Sequence, residues 1–186
     1  MGNRGRDQPV SLATERLILQ PFTKQDGRLL RELFRDPEVT RYLPWGHPYS
    51  EAETNQRLQQ LLAHWRRHHF GAYTVRTKTG RRPIGYAGLE VVAGTPFVEL
   101  LYALIRRSWG QGYGSEAAAA CLRLGFHSLG LPLIVGVIAS GNHGSQRVLE
   151  KLGMRPAPEM DFYGGGLLYY SLSRERYAAF RPDRTG

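Results

Sequence analysis

Trp109-Gly110-Gln111-Gly112-Tyr113-Gly114-Ser115-Glu116-Ala117 is the stretch on which the fold turns. The run before it, Phe97 to Ile105, has the apolar make-up of a strand, and the run that begins within it, Ser115 to Phe126, is rich in Ala and Leu as a helix is. Between them Gly110, Gly112 and Gly114 make a strand-to-helix turn. Without a Cβ the backbone amides stay open to an anion, and the helix dipole adds about 0.3–1 kcal/mol for a negative charge at that end. Such a turn suits a phosphate group; the plain alternative is a glycine-rich loop that only reverses the chain. Two familiar phosphate turns do not fit. No Gly-Lys pair occurs anywhere, which excludes a Walker loop, and no Asp or Glu lies between Ala117 and Leu149 to hold a dinucleotide's ribose.

Outward from the turn, the pattern predicts alternating elements. Arg16 to Pro21 reads as a first strand and Thr23 to Phe34 as a helix that Asp36-Pro37 breaks. Ser50 and Glu53 form a capping box that opens a helix with Leu58, Leu61, Leu62 and Trp65 on one face. Gly71 to Thr77, Ile84 to Val92 and Phe97 to Ile105 are three strands of an antiparallel meander, the second to fourth of the chain. Leu133 to Ala139 is a fifth, Asn142 to Leu152 is a helix closed by Gly153, and Met154 to Pro158 and Leu167 to Ser173 are the last strand candidates, with Gly164-Gly165-Gly166 between them. Neither a repeat nor a linker interrupts the series, so the expectation is one α/β domain over residues 11–180 with a mixed sheet, preceded by a polar, flexible arm over residues 1–10.

At 186 residues the chain has material for one ordinary core. Met1 to Pro9 carries no apolar run, so a secretory signal or membrane anchor is not expected there; the single cysteine, Cys121, fits a reducing compartment, the cytoplasm by default. Twenty-five Lys and Arg against sixteen Asp and Glu give a formal charge of +9, which favours anionic ligands. The basic residues are scattered rather than striped with aromatics, so nucleic acid is not expected as the primary ligand. His64, His68 and His69 lack the glutamate of a zinc-protease helix and read as a solvated basic face, and no metal is implied. Cys121, mid-helix among Ala and Leu, reads as a buried structural thiol.

The quoted turn resembles the coenzyme A pyrophosphate loop of the GNAT acetyltransferases, in the tryptophan-bearing form of the ribosomal-protein N-alpha-acetyltransferase-like (Rim-type) branch. Thr14 to Leu19, Asp36 to Val39, Glu99 to Tyr102 and the N-x-x-S helix Asn142 to Met154 are similar to other segments of that branch in order and spacing. The resemblance runs from about Thr14 to Tyr177. It implies a mixed, mostly antiparallel sheet splayed between its fourth and fifth strands and flanked by helices, with acetyl-CoA as co-substrate.

By that resemblance Gly110, Gln111, Gly112, Tyr113, Gly114 and Ser115 hold the pyrophosphate, while the backbone of Tyr102, Ala103 and Leu104 pairs with pantetheine, helped by Asn142. Glu99 matches the family's acidic position and is the first candidate for the base that deprotonates the amine, with Glu90 second. Ser145 is the candidate donor to the departing thiolate, since Leu149 stands where many relatives place a tyrosine; Tyr163, Tyr169 and water are the fallbacks. Each has a plainer reading, Glu99 as a solvent-facing strand carboxylate and Asn142 with Ser145 as helix caps. Trp109 replaces an Arg or Gln common in relatives, which removes one polar partner of the cofactor. The expected reaction is acetyl transfer to a primary amine, on a protein N-terminus or a small molecule. A non-catalytic acyl-CoA-binding module and a ribosome- or RNA-associated protein are the alternatives, and a homodimer is left open.

Overall fold

Eight strands lie in one sheet in the order β1-β2-β3-β4-β5-β6-β8-β7, in a computed structural model that describes residues 10–180 apart from 44, 45, 81 and 164. The strands are β1 (Leu12–Ala13), β2 (Leu17–Pro21), β3 (Ala72–Thr77), β4 (Pro83–Val91), β5 (Val98–Leu104), β6 (Leu133–Ala139), β7 (Arg155–Pro156) and β8 (Leu167–Ser173). The two-residue β1 was not read from the sequence, so the expected fourth and fifth strands are β5 and β6 here. Every neighbouring pair is antiparallel except β5 and β6, which run parallel and meet at one register pair, Glu99↔Val135. Beyond Glu99 the two strands part. This is the splayed mixed sheet that the resemblance implies. The expected N-terminal arm, apart from Val10, lies outside the described residues.

Helices cover both faces of the sheet. α1 (Gly27–Arg35) packs on α3 (Glu51–His68) and on β4, α2 (Pro37–Thr40) is one turn between them, and α4 (Tyr113–Arg123) lies over β4 and β5. α5 (His143–Lys151) rests on β6, and α6 (Arg174–Ala179), also not anticipated, follows β8 directly. Asp36-Pro37 does break the helix as expected, yet the chain restarts at once, because Asp36 accepts from the Glu38 N–H at 2.9 Å and Pro37 is preset for a first helical position. The Ser50/Glu53 capping box forms with both bonds in place, 3.2 and 2.6 Å. α4 starts two residues earlier than the Ala/Leu run suggests and ends in a π-helical turn, Leu124–Ser128. The last strand pair is shorter than expected at its first member, where Arg155–Pro156 alone pairs with β8. Leu17, Leu19, Leu89, Leu122, Ile134, Leu149 and Leu172 are fully buried between the layers, each worth about 1.5–3 kcal/mol in area removed from water.

Candidate active site

The glycine-rich turn folds as its composition asks. Gly110 and Gly112 sit at φ +72° and +78°, the left-handed region that an L side chain resists, and Gly112 is the residue from which α4 departs. No side chain caps this helix, and its first internal bond runs from the Glu116 N–H to the Gly112 carbonyl at 3.1 Å. The amides of Tyr113, Gly114 and Ser115 therefore keep no acceptor within the helix, which is the arrangement that receives an anion. A Cβ on Gly114 would meet nothing closer than Leu104 at 3.9 Å, so the approach to its backbone is open. Gln111 faces elsewhere with its side chain, which donates to the Arg107 carbonyl at 2.9 Å. Trp109 ties the turn to the strand end through its indole N–H, which donates to the Leu104 carbonyl at 2.7 Å.

That bond and the sheet pairing narrow what β5 can offer. Ile105 N–H bonds the Ile84 carbonyl and Val92 N–H bonds the Phe97 carbonyl, both at 2.9 Å. By antiparallel alternation the backbones of residues 97, 99, 101, 103 and 105 face β4, and those of 98, 100, 102 and 104 face the other way. Ala103 thus spends its backbone on Tyr86, its partner in register. Tyr102 turns both its N–H and C=O to the gap, whereas Leu104 has only its N–H left. An extended chain entering the gap finds partners at Tyr102 and Leu104 but not at Ala103.

Glu99 stands at the pivot of the splay, on the sheet face that carries α3; Tyr102, three positions on, points to the opposite face. There the Tyr102 hydroxyl donates to the Ser145 carbonyl at 3.4 Å, and burial pushes its phenol up to about 12. Asn142 is the N-cap of α5, accepting from the Ser145 N–H at 3.1 Å, so the capping reading holds. The Ser145 side chain also hydrogen-bonds the Tyr102 phenol and draws its pKa down against burial, so Ser145 and Tyr102 meet beside the gap. Glu99 and Ser145 accordingly approach the gap from opposite faces, and donor and acceptor could enter it from opposite sides.

The carboxylates differ in surroundings. Glu90 lies directly across from Glu99 in the β4–β5 register and both of its oxygens are taken by Arg57 of α3, at 3.1 and 2.6 Å. Glu99 accepts from the Tyr163 hydroxyl at 2.7 Å. Burial pushes the Glu99 carboxyl up to about 7, against the pull of the Tyr163 hydrogen bond, with Glu90 raising it and Arg57 lowering it. A carboxyl so placed changes charge where amine chemistry runs. Tyr163 belongs to the β7–β8 connection, where the Tyr169 hydroxyl accepts from its N–H at 3.0 Å and Phe162 packs against Phe97, Tyr163 and Tyr169. The fallback thiolate donor Tyr163 is thus on the base instead. Leu149 is buried in the core against Gly136, away from any opening.

Sequence reasoning missed Arg16. Its Nε donates to Glu116 Oε2 at 2.7 Å, its Nη1 to the Gln111 carbonyl at 3.0 Å, and its guanidinium lies over the Tyr113 ring. Thr14 Oγ1 and the Arg16 N–H both donate to the same Glu116 carboxylate, whose pKa those bonds and the Arg16 charge lower even though its burial works the other way. His64 is also not a solvated basic residue: Nδ1 lies 2.9 Å from the Phe70 carbonyl and Nε2 accepts from the Val91 N–H at 2.9 Å. Cys121 is buried, and burial pushes its thiol up to about 12, as for a structural residue. Among the described residues no group of three His, Cys, Asp or Glu side chains converges as metal ligands, and no helix is long and apolar enough to cross a membrane.

The family model described as an acetyltransferase (GNAT) domain matches residues 16–155. An uncharacterized N-acetyltransferase of Bacillus subtilis (strain 168), YoaA, is 29% identical over 145 residues, 77% of this chain and 82% of its own. The crystal structure of an acetyltransferase from Agrobacterium tumefaciens str. C58 superposes with a TM-score of 0.80 at 29% identity, covering 88% of this chain and 94% of that one. RimL, a ribosomal L7/L12 alpha-N-protein acetyltransferase solved in complex with coenzyme A, shares the fold with a TM-score of 0.71 at 16% identity, over 87% and 96% of the two chains. With the family model spanning most of the sheet and the turn together, the chain belongs to the GNAT family and is an acetyl-CoA-dependent N-acetyltransferase.

Proposed function

We propose that this enzyme acetylates a primary amine, on a protein N-terminus as in the Rim-type branch or on a small molecule, by direct transfer in which Glu99 takes the amine's proton. The observation that carries the reading is the position of Glu99 at the point where β5 and β6 part, with its carboxyl pushed up to about 7 by burial. The amides at the start of α4 would hold the pyrophosphate of acetyl-CoA, and the Tyr102 backbone with the Leu104 N–H would pair with pantetheine as an added strand does. Asn142 borders that path while capping α5, and the Ser145 hydroxyl would donate to the sulfur as the thiolate departs. The amine nitrogen attacks the thioester carbonyl carbon, the C–S bond breaks, the amine proton goes to Glu99 directly or through a water, and the sulfur leaves as coenzyme A.

The need for a base depends on the acceptor. At pH 7 a lysine amine with pKa near 10.4 is neutral in fewer than ~1 in 1000 molecules, an α-amine near 7.8 in about 1 in 10. A coenzyme-release assay across peptides, polyamines and aminoglycosides identifies the acceptor, and the best amine then serves to test Glu99→Gln. The variant should lose about 10²–10⁴ in kcat/KM near neutral pH, and the deficit should shrink as the amine deprotonates by itself at higher pH. A variant with wild-type kinetics at every pH sinks the assignment of Glu99. A raised KM at unchanged kcat, weakened by salt, would instead make Glu99 an attractor for a cationic substrate.

A further inference from the structure

Trp109 spends its indole N–H on the Leu104 carbonyl, so it offers the glycine-rich turn no polar group for an anion, and the structure supplies a cation from another element. Arg16, at the mouth of β2, reaches the turn from about one hundred residues away in sequence, bonding Glu116 through Nε at 2.7 Å and the Gln111 carbonyl through Nη1 at 3.0 Å. A guanidinium has five N–H donors, and the two on Nη2 have no partner among the described residues. Nη2 lies 3.2 Å from the place that a Cβ on Gly112 would occupy, at the residue from which α4 departs. The side chain is 46% exposed and stacks on the Tyr113 ring with 4.7 Å between guanidinium carbon and ring centre, so it is oriented without being buried.

We propose that Arg16 is a cofactor-binding residue, its Nη2 donating to the pyrophosphate of acetyl-CoA beside the amides of α4. This rests on the acetyl-CoA reading of the turn given above. Glu116 explains why the cation is fixed so firmly. It is an acidic residue in the first turn of the helix that would receive the pyrophosphate, where alone it would repel that group. Thr14 Oγ1, the Arg16 N–H and the Arg16 guanidinium all bind its carboxylate, so the same contacts hold the arginine over the turn and offset the repulsion. Guanidinium and phosphate form charge-assisted hydrogen bonds with a strong geometric preference, and a lysine could not hold Glu116 and reach Gly112 at once.

Calorimetry with acetyl-CoA, paired with transfer assays on S-acetylpantetheine, which has no pyrophosphate, separates this role from a purely structural one. Arg16→Met should weaken acetyl-CoA binding by about 10- to 100-fold, the worth of a lost charged hydrogen bond, and leave kcat/KM for S-acetylpantetheine within about twofold. The double variant Arg16→Met/Glu116→Gln should regain part of that affinity but stay weaker than Glu116→Gln alone, because the donor is still missing. Full acetyl-CoA affinity in Arg16→Met would overturn the proposal, as would equal losses with the two acyl donors. If Arg16→Met does not fold, Arg16→Gln, which retains a neutral donor, carries the same comparison. Failure of the wild-type protein to bind acetyl-CoA would instead overturn the cofactor reading of the turn.

Discussion

Glu90 and Glu99 face each other across β4 and β5, and their neighbours divide the work between them. Arg57 donates to both oxygens of Glu90, which holds the second-choice base in an ion pair that Glu99 does not share. Around Glu99 stand Glu90 and Tyr86 on β4, Arg57 on α3 and Tyr163 on the β7–β8 connection, and among the described residues only Tyr163 hydrogen-bonds its carboxyl. Burial and the Glu99 charge keep the Tyr163 phenol protonated well above its ordinary range, so it acts as a donor at every working pH. Its hydrogen bond favours the carboxylate form of Glu99. Tyr163→Phe removes that donor, so the acid limb of the kcat/KM profile should move to higher pH by roughly half to one unit. A kcat loss without movement of the limb would mean that Tyr163 only shapes the pocket.

At the scale of elements, the glycine turn was legible because its demands are local. Gly110 and Gly112 make the strand-to-helix turn that the spacing suggested, in left-handed conformation, and the helix follows. Arg16 was not legible: its partners Gln111 and Glu116 are 95 and 100 positions away, and no periodicity reports contacts of that separation. The one available signal was a charged residue opening an otherwise apolar strand. Ala103 was read from resemblance as facing pantetheine, but side-chain patterns do not reveal which backbone groups a neighbouring strand has already taken; register does. The turn also yields a comparison between two glycines. In Gly110→Ala and Gly112→Ala a Cβ is forced into left-handed backbone, costing about 1–2 kcal/mol in each. The new methyl on Gly110 meets no non-neighbouring atom within 4 Å, whereas that on Gly112 presses on Arg16 Nη2 at 3.2 Å. Thermal melts should therefore drop by similar amounts in the two variants, with acetyl-CoA affinity falling several-fold further in Gly112→Ala. Equal affinities would show that Arg16 gives way without consequence.

On the scale of the whole molecule, α3 is fastened to the sheet by Arg57 on Glu90, by the Trp65 indole on the Ala72 carbonyl at 2.6 Å, and by a histidine whose charge state the fold dictates. His64 Nε2 accepts from the Val91 N–H, so that nitrogen carries no proton, and Nδ1–H donates to the Phe70 carbonyl. The ring also packs on His68 and Phe70, with centres 4.5 and 5.2 Å away. Burial lowers the His64 pKa, with His68 and Arg57 adding to that and Glu90 and the Phe70 carbonyl opposing it. Because the folded pKa lies below the unfolded value near 6.5, the unfolded chain binds more protons as the solution is acidified. The stabilisation is complete above about pH 6.5 and is lost as pH falls toward the folded pKa. Glu99, raised in the folded state, has the opposite sign: its contribution is present below the carboxylate range and fades as pH climbs to about 7. A raw melting profile mixes the two, and acidification also adds to the repulsion of a chain already at +9. The difference between wild type and His64→Gln removes both of these shared effects. Glutamine keeps a donor and an acceptor but cannot titrate, so it should melt below the wild type at pH 7.5. The gap should narrow steadily down to pH 5.5, as the wild type alone is forced to choose between its proton and the Val91 bond. A gap that stays constant over that range would show that His64 remains neutral throughout, or that its link to β4 contributes no pH-dependent stability.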